Sequence, residues 1–286
     1  MYYLTRIFLL FTILFAFTNA QAEIKKFNMV FVPASEKGDE SDYTGLISIV
    51  EDITGFEINT IKVTDYNAAV EAMRAGRAHI AWYGGKTYVK AAEIAQAEAF
   101  AAGVRPGEKD AGYYTYFVVK NESEIKTFKD VKGKILSLNS IGSTSGDLIP
   151  QVELSKIDLS IKNKDHFKNV FYAGSHDACL LAVLNNQSDV CGMSSRNFEA
   201  RLEDGTIKLS DVRIIHKSDR VPPPPLAFSK LIPKEDRIKI KEAVLDAHNH
   251  GEIAGYGGKM SHYMEVNDSD YNVLREVIEL LKKNKS

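Results

Sequence analysis

The sequence predicts an α/β chain folded as two lobes, and three observations carry that prediction. Short apolar runs alternate with amphipathic stretches of helical period along most of the chain, the signature of β-α units around a mainly parallel sheet. The alternation comes in two sets, separated by the loop "RPGEKDAG" at residues 105–112. Four consecutive prolines, Pro222 to Pro225, fit neither a helix nor a central strand and mark an extended connection that carries the chain back. Residues 23–115 with 218–286 therefore form a discontinuous first lobe and residues 116–217 an inserted second one, with two crossing strands as a hinge.

The elements follow in order. "FNMVFVP" at residues 27–33 is the first strand, a helical pattern runs from Tyr43 to Ile53, and "FEINTIKV" is the second strand. In "DYNAAVEAMRAG", Ala69, Val70, Met73 and Ala75 suit a helix, with Asp65 as cap and Gly76 as stop. "AHIAWYG", a helix from Thr87 to Ala95 and "AEAFAAGV" complete the first set. The second set reads "YYTYFVVK", "KILSLN", a helix opening at "STSG", "NVFYAG", a helix from His176 to Asn186, "SDVCGM", a helix near Arg196 and "VRIIHK". From about Pro233 the chain reads as helical to its end.

Ahead of these elements stands a leader. Residues 1–22 carry one Arg, an apolar run from Ile7 to Phe17 and the small-residue site Ala20-Gln21-Ala22, which together make a cleavable secretory signal. The run is too short to span a bilayer, and the site is not followed by a lipid-accepting Cys. The formal charge of −2 becomes −3 once Arg6 leaves with the leader, and Lys and Arg are dispersed, so nucleic acid is not an expected partner. Cys179 and Cys191 would lie in an oxidising compartment, where a bridge and two buried thiols are both compatible with the spacing. The scattered His residues offer no metal-ligand spacing, and no cofactor is expected.

Ligands of open parallel sheets bind beyond the carboxyl ends of the strands. Tyr66, Tyr83, the hydroxyl cluster Ser143-Thr144-Ser145 and His176 all fall at such ends. The hydroxyl cluster has two readings: a helix cap, or a cradle whose N–H and O–H groups hold an anion. Trp82 and Gly84, in the same strand end as Tyr83, are equally compatible with core packing and with ligand contact.

Four segments, "TDYNAAVEAMRAGRAHIAWYG", "AGYYTYFVV", "STSG" and "YAGSHDACLLAVLNNQSDV", in this order and spacing, resemble the phosphonate-binding proteins of bacterial ABC importers. The resemblance covers nearly all of the mature chain. It implies a type II periplasmic binding-protein fold whose two lobes close over a phosphonate or phosphite, and a permease as partner. It implies oxyanion contacts from Tyr66, Tyr113, Ser143, Thr144, Ser145 and His176, which favours the cradle. It also implies that Arg196 and Pro224 stand where relatives that take aminoalkylphosphonates place acids. Glu199 and Asp219 are the nearest substitutes, and Tyr83, Arg196 and Asp219 are the residues expected to tune selectivity. The expected ligand is phosphite or a small phosphonate without an amine, with aminoalkylphosphonate or phosphate as alternatives, bound by a periplasmic monomer. A secreted hydrolase is the competing class, but the centre of "GSTSG" is Thr144 where a nucleophile elbow needs Ser, and His176-Asp177 are adjacent, a poor geometry for a triad.

Mass spectrometry of the exported protein should find a chain starting at Glu23; an intact Met1 would exclude a cleaved leader.

Overall fold

Thr115 to Val119 are all buried, yet their side chains alternate between two cores because successive side chains of a strand point to opposite faces of its sheet. Phe117 and Val119 enter one apolar core and Tyr116 and Val118 another. The computed structural model describes residues 25–35 and 39–283, so the expected leader lies outside the described residues. In chain order come β1 (Lys26–Phe31), α1 (Asp39–Asp42), α2 (Thr44–Thr54), β2 (Glu57–Ile61), α3 (Tyr66–Arg74), β3 (Ile80–Trp82), α4 (Gly85–Ala95) and β4 (Glu98–Val104). The second set is β5 (Thr115–Lys120), β6 (Ile135–Leu138), α5 (Ile149–Ser155), β7 (Asn169–Tyr172), α6 (His176–Leu184), β8 (Val190–Ser194), α7 (Ser195–Glu203) and β9 (Val212–Lys217). The chain then returns through β10 (Leu226–Phe228), α8 (Lys234–Asp246), β11 (Ile253–Gly255), β12 (Gly258–Met260), β13 (His262–Glu265) and α9 (Asn272–Lys283).

The two large sheets repeat one plan. The first runs β13-β4-β10-β3-β1-β2 and the second β7-β6-β8-β5-β9. In each, the strand that arrives from the other sheet, β10 or β5, sits antiparallel between the third and fourth strands of the set it joins. The sheets are therefore mixed where the β-α alternation predicts mainly parallel ones, because a crossing strand enters from the end opposite to its neighbours. Phe100 of β4 stacks on Phe228 of β10 with ring centroids 3.8 Å apart, fastening the inserted strand to the first core.

The crossings themselves are paired. Tyr113 N–H donates to the Val221 carbonyl at 3.1 Å and Val221 N–H to the Tyr113 carbonyl at 2.8 Å. The proline run beyond Val221 is extended, and its carbonyls serve as acceptors, Pro223 for the Tyr271 hydroxyl at 3.0 Å and Pro225 for Tyr83 N–H at 3.0 Å.

Beyond Pro233 the continuous helix expected from sequence is replaced by α8, the β11-β12 hairpin, the edge strand β13 and α9. The glycines between Gly251 and Gly258 explain the break, since each weakens a helix and two of them, Gly257 and Gly258, adopt φ of 83° and 106°. α3, by contrast, begins and ends as predicted. Asp65 accepts from the N–H groups of Asn67 at 2.8 Å and Ala68 at 3.0 Å, and Gly76 closes the turn with φ of 72°. Cys179 and Cys191, left open by the sequence, are joined in a disulfide that ties α6 to β8.

Candidate functional site

The loop after β6 is folded by its own polar atoms. Ser143 precedes a π-type turn over Thr144–Leu148, and its Oγ accepts Gly146 N–H at 3.0 Å. Asn139 N–H donates to the Gly146 carbonyl at 3.0 Å, drawing the two ends together. No side chain fits at Gly146, where a Cβ would stand 2.3 Å from the Cβ of Asn139 and 3.0 Å from Cε1 of His176. The two readings of the hydroxyl cluster thus divide: Ser143 is a helix cap, and the loop it caps presents Thr144 and Ser145.

Elements of the first sheet close on this loop. Lys86 N–H, in the first turn of α4, donates to Thr144 Oγ1 at 2.9 Å, and Thr87 Oγ1 donates to the Gly142 carbonyl at 2.7 Å. Gly84 allows the approach, because a Cβ there would meet Thr144 Oγ1 at 3.3 Å. The Lys86 ammonium is held by Asp147 Oδ2 at 2.5 Å and by the Ile141 carbonyl. Tyr66, at the start of α3, accepts from Asn139 Nδ2 at 3.2 Å. Tyr113, on the first crossing, brings its phenol beside the hydroxyls of Thr144 and Ser145, and burial raises its pKa, so it remains an O–H donor.

His176 opens α6 behind a Ser175 cap that accepts Ala178 N–H at 3.0 Å. Its own N–H crosses to the Ala34 carbonyl, after β1, at 3.1 Å. In the ring, Nδ1 accepts Ser194 N–H at 3.3 Å, which assigns the remaining proton to Nε2, 3.5 Å from Ser145 Oγ. Burial pushes the imidazole down to about 3, so at neutral pH the ring is an uncharged donor. Tyr66, Tyr113, Ser143, Thr144, Ser145 and His176 are each at most 3% exposed. Together they form a closed set of neutral donors, the chemistry that binds an oxyanion through charge-assisted hydrogen bonds.

The residues expected to tune selectivity are placed differently. Arg196 is buried, its guanidinium bonded to the Ala111 carbonyl at 2.8 Å and Glu108 at 3.1 Å, and its charge reaches the Tyr113 phenol. Asp219 does not join the cluster. Its side chain is 93% exposed and pairs with Lys156 at 3.0 Å, because the crossing turns it outward. Tyr83 is a core residue whose hydroxyl donates to the Ala69 carbonyl at 3.3 Å under α3. Trp82 packs against Tyr256 and Tyr43 in the same core. Glu199 is engaged by Arg105 at 2.8 Å and by the Tyr116 hydroxyl at 3.0 Å. Asn139 belongs to the cluster and escaped the sequence reading: its Nδ2 serves Tyr66 while its buried Oδ1 has no partner. Its place at the carboxyl end of a strand was the available signal.

This chain is matched over residues 29–271 by the family model described as ABC transporter, phosphonate, periplasmic substrate-binding protein. It is 27% identical over 228 residues to the phosphonates-binding periplasmic protein of Escherichia coli K12, covering 78% of this chain and 66%, just under two thirds, of that one. It is 25% identical to the phosphate-import protein PhnD of Mycolicibacterium smegmatis, covering 92% of this chain and 88% of the relative. In structure it resembles PhnD1 of Prochlorococcus marinus in complex with methylphosphonate, with TM-score 0.76, 20% identity, and coverage of 91% of this chain and 99% of the other.

The buried neutral His176 predicts an acid-sensitive fold. Its proton affinity is lower folded than unfolded, where the ordinary value is about 6.5, so protons bind the unfolded chain first. The stability gained from keeping the ring neutral is complete above about pH 6.5 and is lost toward pH 3, at about 1.4 kcal/mol per unit. Urea unfolding at pH 7, 6, 5 and 4 should show a shallower decline for His176→Gln than for the native protein.

Proposed function

The chain belongs to the phosphonate-binding family of periplasmic substrate-binding proteins of ABC transporters, and from that premise we propose that it delivers phosphite or a small phosphonate without an amine, such as methylphosphonate, to its permease. In this reading residues 23–115 with 218–286 and residues 116–217 are two lobes that close on the ligand in a periplasmic monomer. Tyr66, Tyr113, Thr144, Ser145 and His176 donate to the oxyanion, Ser143 holds the loop that presents them, and the ligand leaves chemically unchanged.

The observation that carries the reading is the contrast between the donor set and the charge beside it. Five neutral donor residues converge around the loop that Ser143 caps, and the ionised side chain bonded beside Tyr113, to the Ala111 carbonyl, is a cation, Arg196. An ammonium brought there would be desolvated beside a guanidinium, with Asp219 at the surface and Glu199 already engaged. The Prochlorococcus relative's methylphosphonate supports the ligand class. Phosphate is the second reading. The name of the Mycolicibacterium relative favours it, and so does Asn139 Oδ1, an unpartnered acceptor among donors that could take the P–OH of hydrogen phosphate.

Two measurements test the proposal. Ser145→Ala removes a donor worth about 1.5–3 kcal/mol toward a charged ligand, so calorimetric titration should show affinity for methylphosphonate or phosphite lower by roughly ten- to a hundredfold with an unchanged melting temperature. Titrations with phosphite, methylphosphonate, phosphate and 2-aminoethylphosphonate in one buffer should rank the amine last. An unpaired buried charge costs about 2–5 kcal/mol, so its Kd should exceed that of the best ligand by more than about tenfold. Tightest binding of the amine would overturn the reading, and tightest binding of phosphate would favour the second one.

A further inference from the structure

The imidazole of His176 points its Nε2 proton toward Ser145 because of one contact, the 3.3 Å approach of Ser194 N–H to Nδ1. The two partners lie on different elements: His176 begins α6 and Ser194 ends β8. That contact is long for an N–H···N bond, so a small slip of α6 along the sheet would break it. Without it the ring no longer has a fixed tautomer, and its outward nitrogen can become an acceptor, which an oxyanion would repel.

The disulfide spans this same pair of elements. Cys179 lies three residues after His176, one turn along α6, and Cys191 lies three residues before Ser194 on β8, with their Cα atoms 5.6 Å apart. Both sulfur-bearing residues are fully buried. On the sheet side, Cys191 pairs in register with Ser137 of β6, two residues before Asn139, and with Val118 of the crossing strand β5. The Ser137 hydroxyl also donates to the Cys179 carbonyl at 3.3 Å. The bridge therefore sits where the helix of the imidazole, the strand of its orienter and the strand leading into the hydroxyl loop meet.

We infer that the Cys179–Cys191 disulfide is a positioning element for the binding site, fixing α6 on β8 so that Ser194 N–H holds the His176 ring with its Nε2 proton presented to the oxyanion. The inference rests on the reading of His176 as an oxyanion donor. The bridge shares this task with Arg201 of α7, whose guanidinium lies 3.4 Å from Asp177, the second residue of α6. It differs from that ion pair in being a covalent tie from the helix to the strand itself. A disulfide whose role was confined to stabilising the fold would raise the melting temperature and leave the ring alone.

The test uses the mature protein, the double variant Cys179→Ala/Cys191→Ala, and Cys179→Ala/Cys191→Val, which refills part of the lost volume if the first fails to fold. Three quantities are read: the melting temperature, the ring ¹⁵N shifts of His176 across pH 4–8, and the Kd for phosphite and methylphosphonate. The native ring should keep the shifts of a neutral Nε2–H tautomer across that range. In a folded variant lacking the bridge it should show mixed tautomers and protonate at a higher pH, and Kd should rise by about tenfold, the effect of one lost charge-assisted donor. Native shifts and native Kd in a folded variant, with a lower melting temperature alone, would overturn the inference. His176→Leu, which has no donor, in the bridged protein separates the two layers: an unchanged Kd there would sink the reading of His176 as a ligand donor, while the ring shifts of the bridge variants would still decide whether the disulfide positions the imidazole.

Discussion

Two backbone hydrogen bonds exchanged between Tyr113 and Val221 hold together the segments that carry the chain from one sheet to the other. The rest of the architecture depends on that pairing. It fixes where β5 and β10 enter the sheets they join, β5 wedging antiparallel between β8 and β9 and β10 between β3 and β4. Each sheet is thus completed by a strand delivered through the hinge, and Leu148 and Ile149 of the second set also pack into the first core. The same residue that anchors the pairing sends its phenol to Thr144 and Ser145, joining the hinge directly to the hydroxyl loop.

On the proposed reading, the site binds charge with neutral groups. A buried cation would attract an oxyanion over a distance, but it would itself have to be desolvated. Neutral donors avoid that cost, and their weakness is that hydrogen bonds fade steeply with misalignment. This explains why so much of the surrounding structure orients donors: Gly146 closes the loop, Ser143 caps it, Ser194 sets the tautomer of His176 and Asn139 contacts Tyr66. The charged side chains nearby are neutralised in pairs, Lys86 with Asp147, Arg105 with Glu199 and Arg196 with Glu108.

What was legible in the sequence was what local chemistry determines. Asp65 and Gly76 bounded α3 because capping and left-handed turns are properties of a few adjacent residues. Pro222 to Pro225 announced an extended return because proline forbids the alternatives. The β11-β12 hairpin and β13 escaped because strands of three or four residues interrupted by glycine carry too little pattern to outweigh the helical stretches around them. Long-range placement was hidden for another reason. Asp219 and Tyr83 lie at positions as suggestive as Tyr66, yet one is turned to solvent and the other beneath α3, and this depends on how the crossing and the core pack. The disulfide likewise required knowing that α6 lies against β8.

Tyr113 is both a member of the hinge and a member of the donor set. In any rotation about the crossings, points near the axis travel least and points far from it most. Tyr113 lies on the crossing itself, and Thr144 and Ser145, whose hydroxyls its phenol meets, lie close to it, whereas Tyr66 belongs to the first sheet and His176 to the second. On the proposed reading, an oxyanion resting against the phenol would occupy the part of the site that moves least. Closure would then change the spacing of the outer donors more than that of the phenol and the hydroxyls beside it.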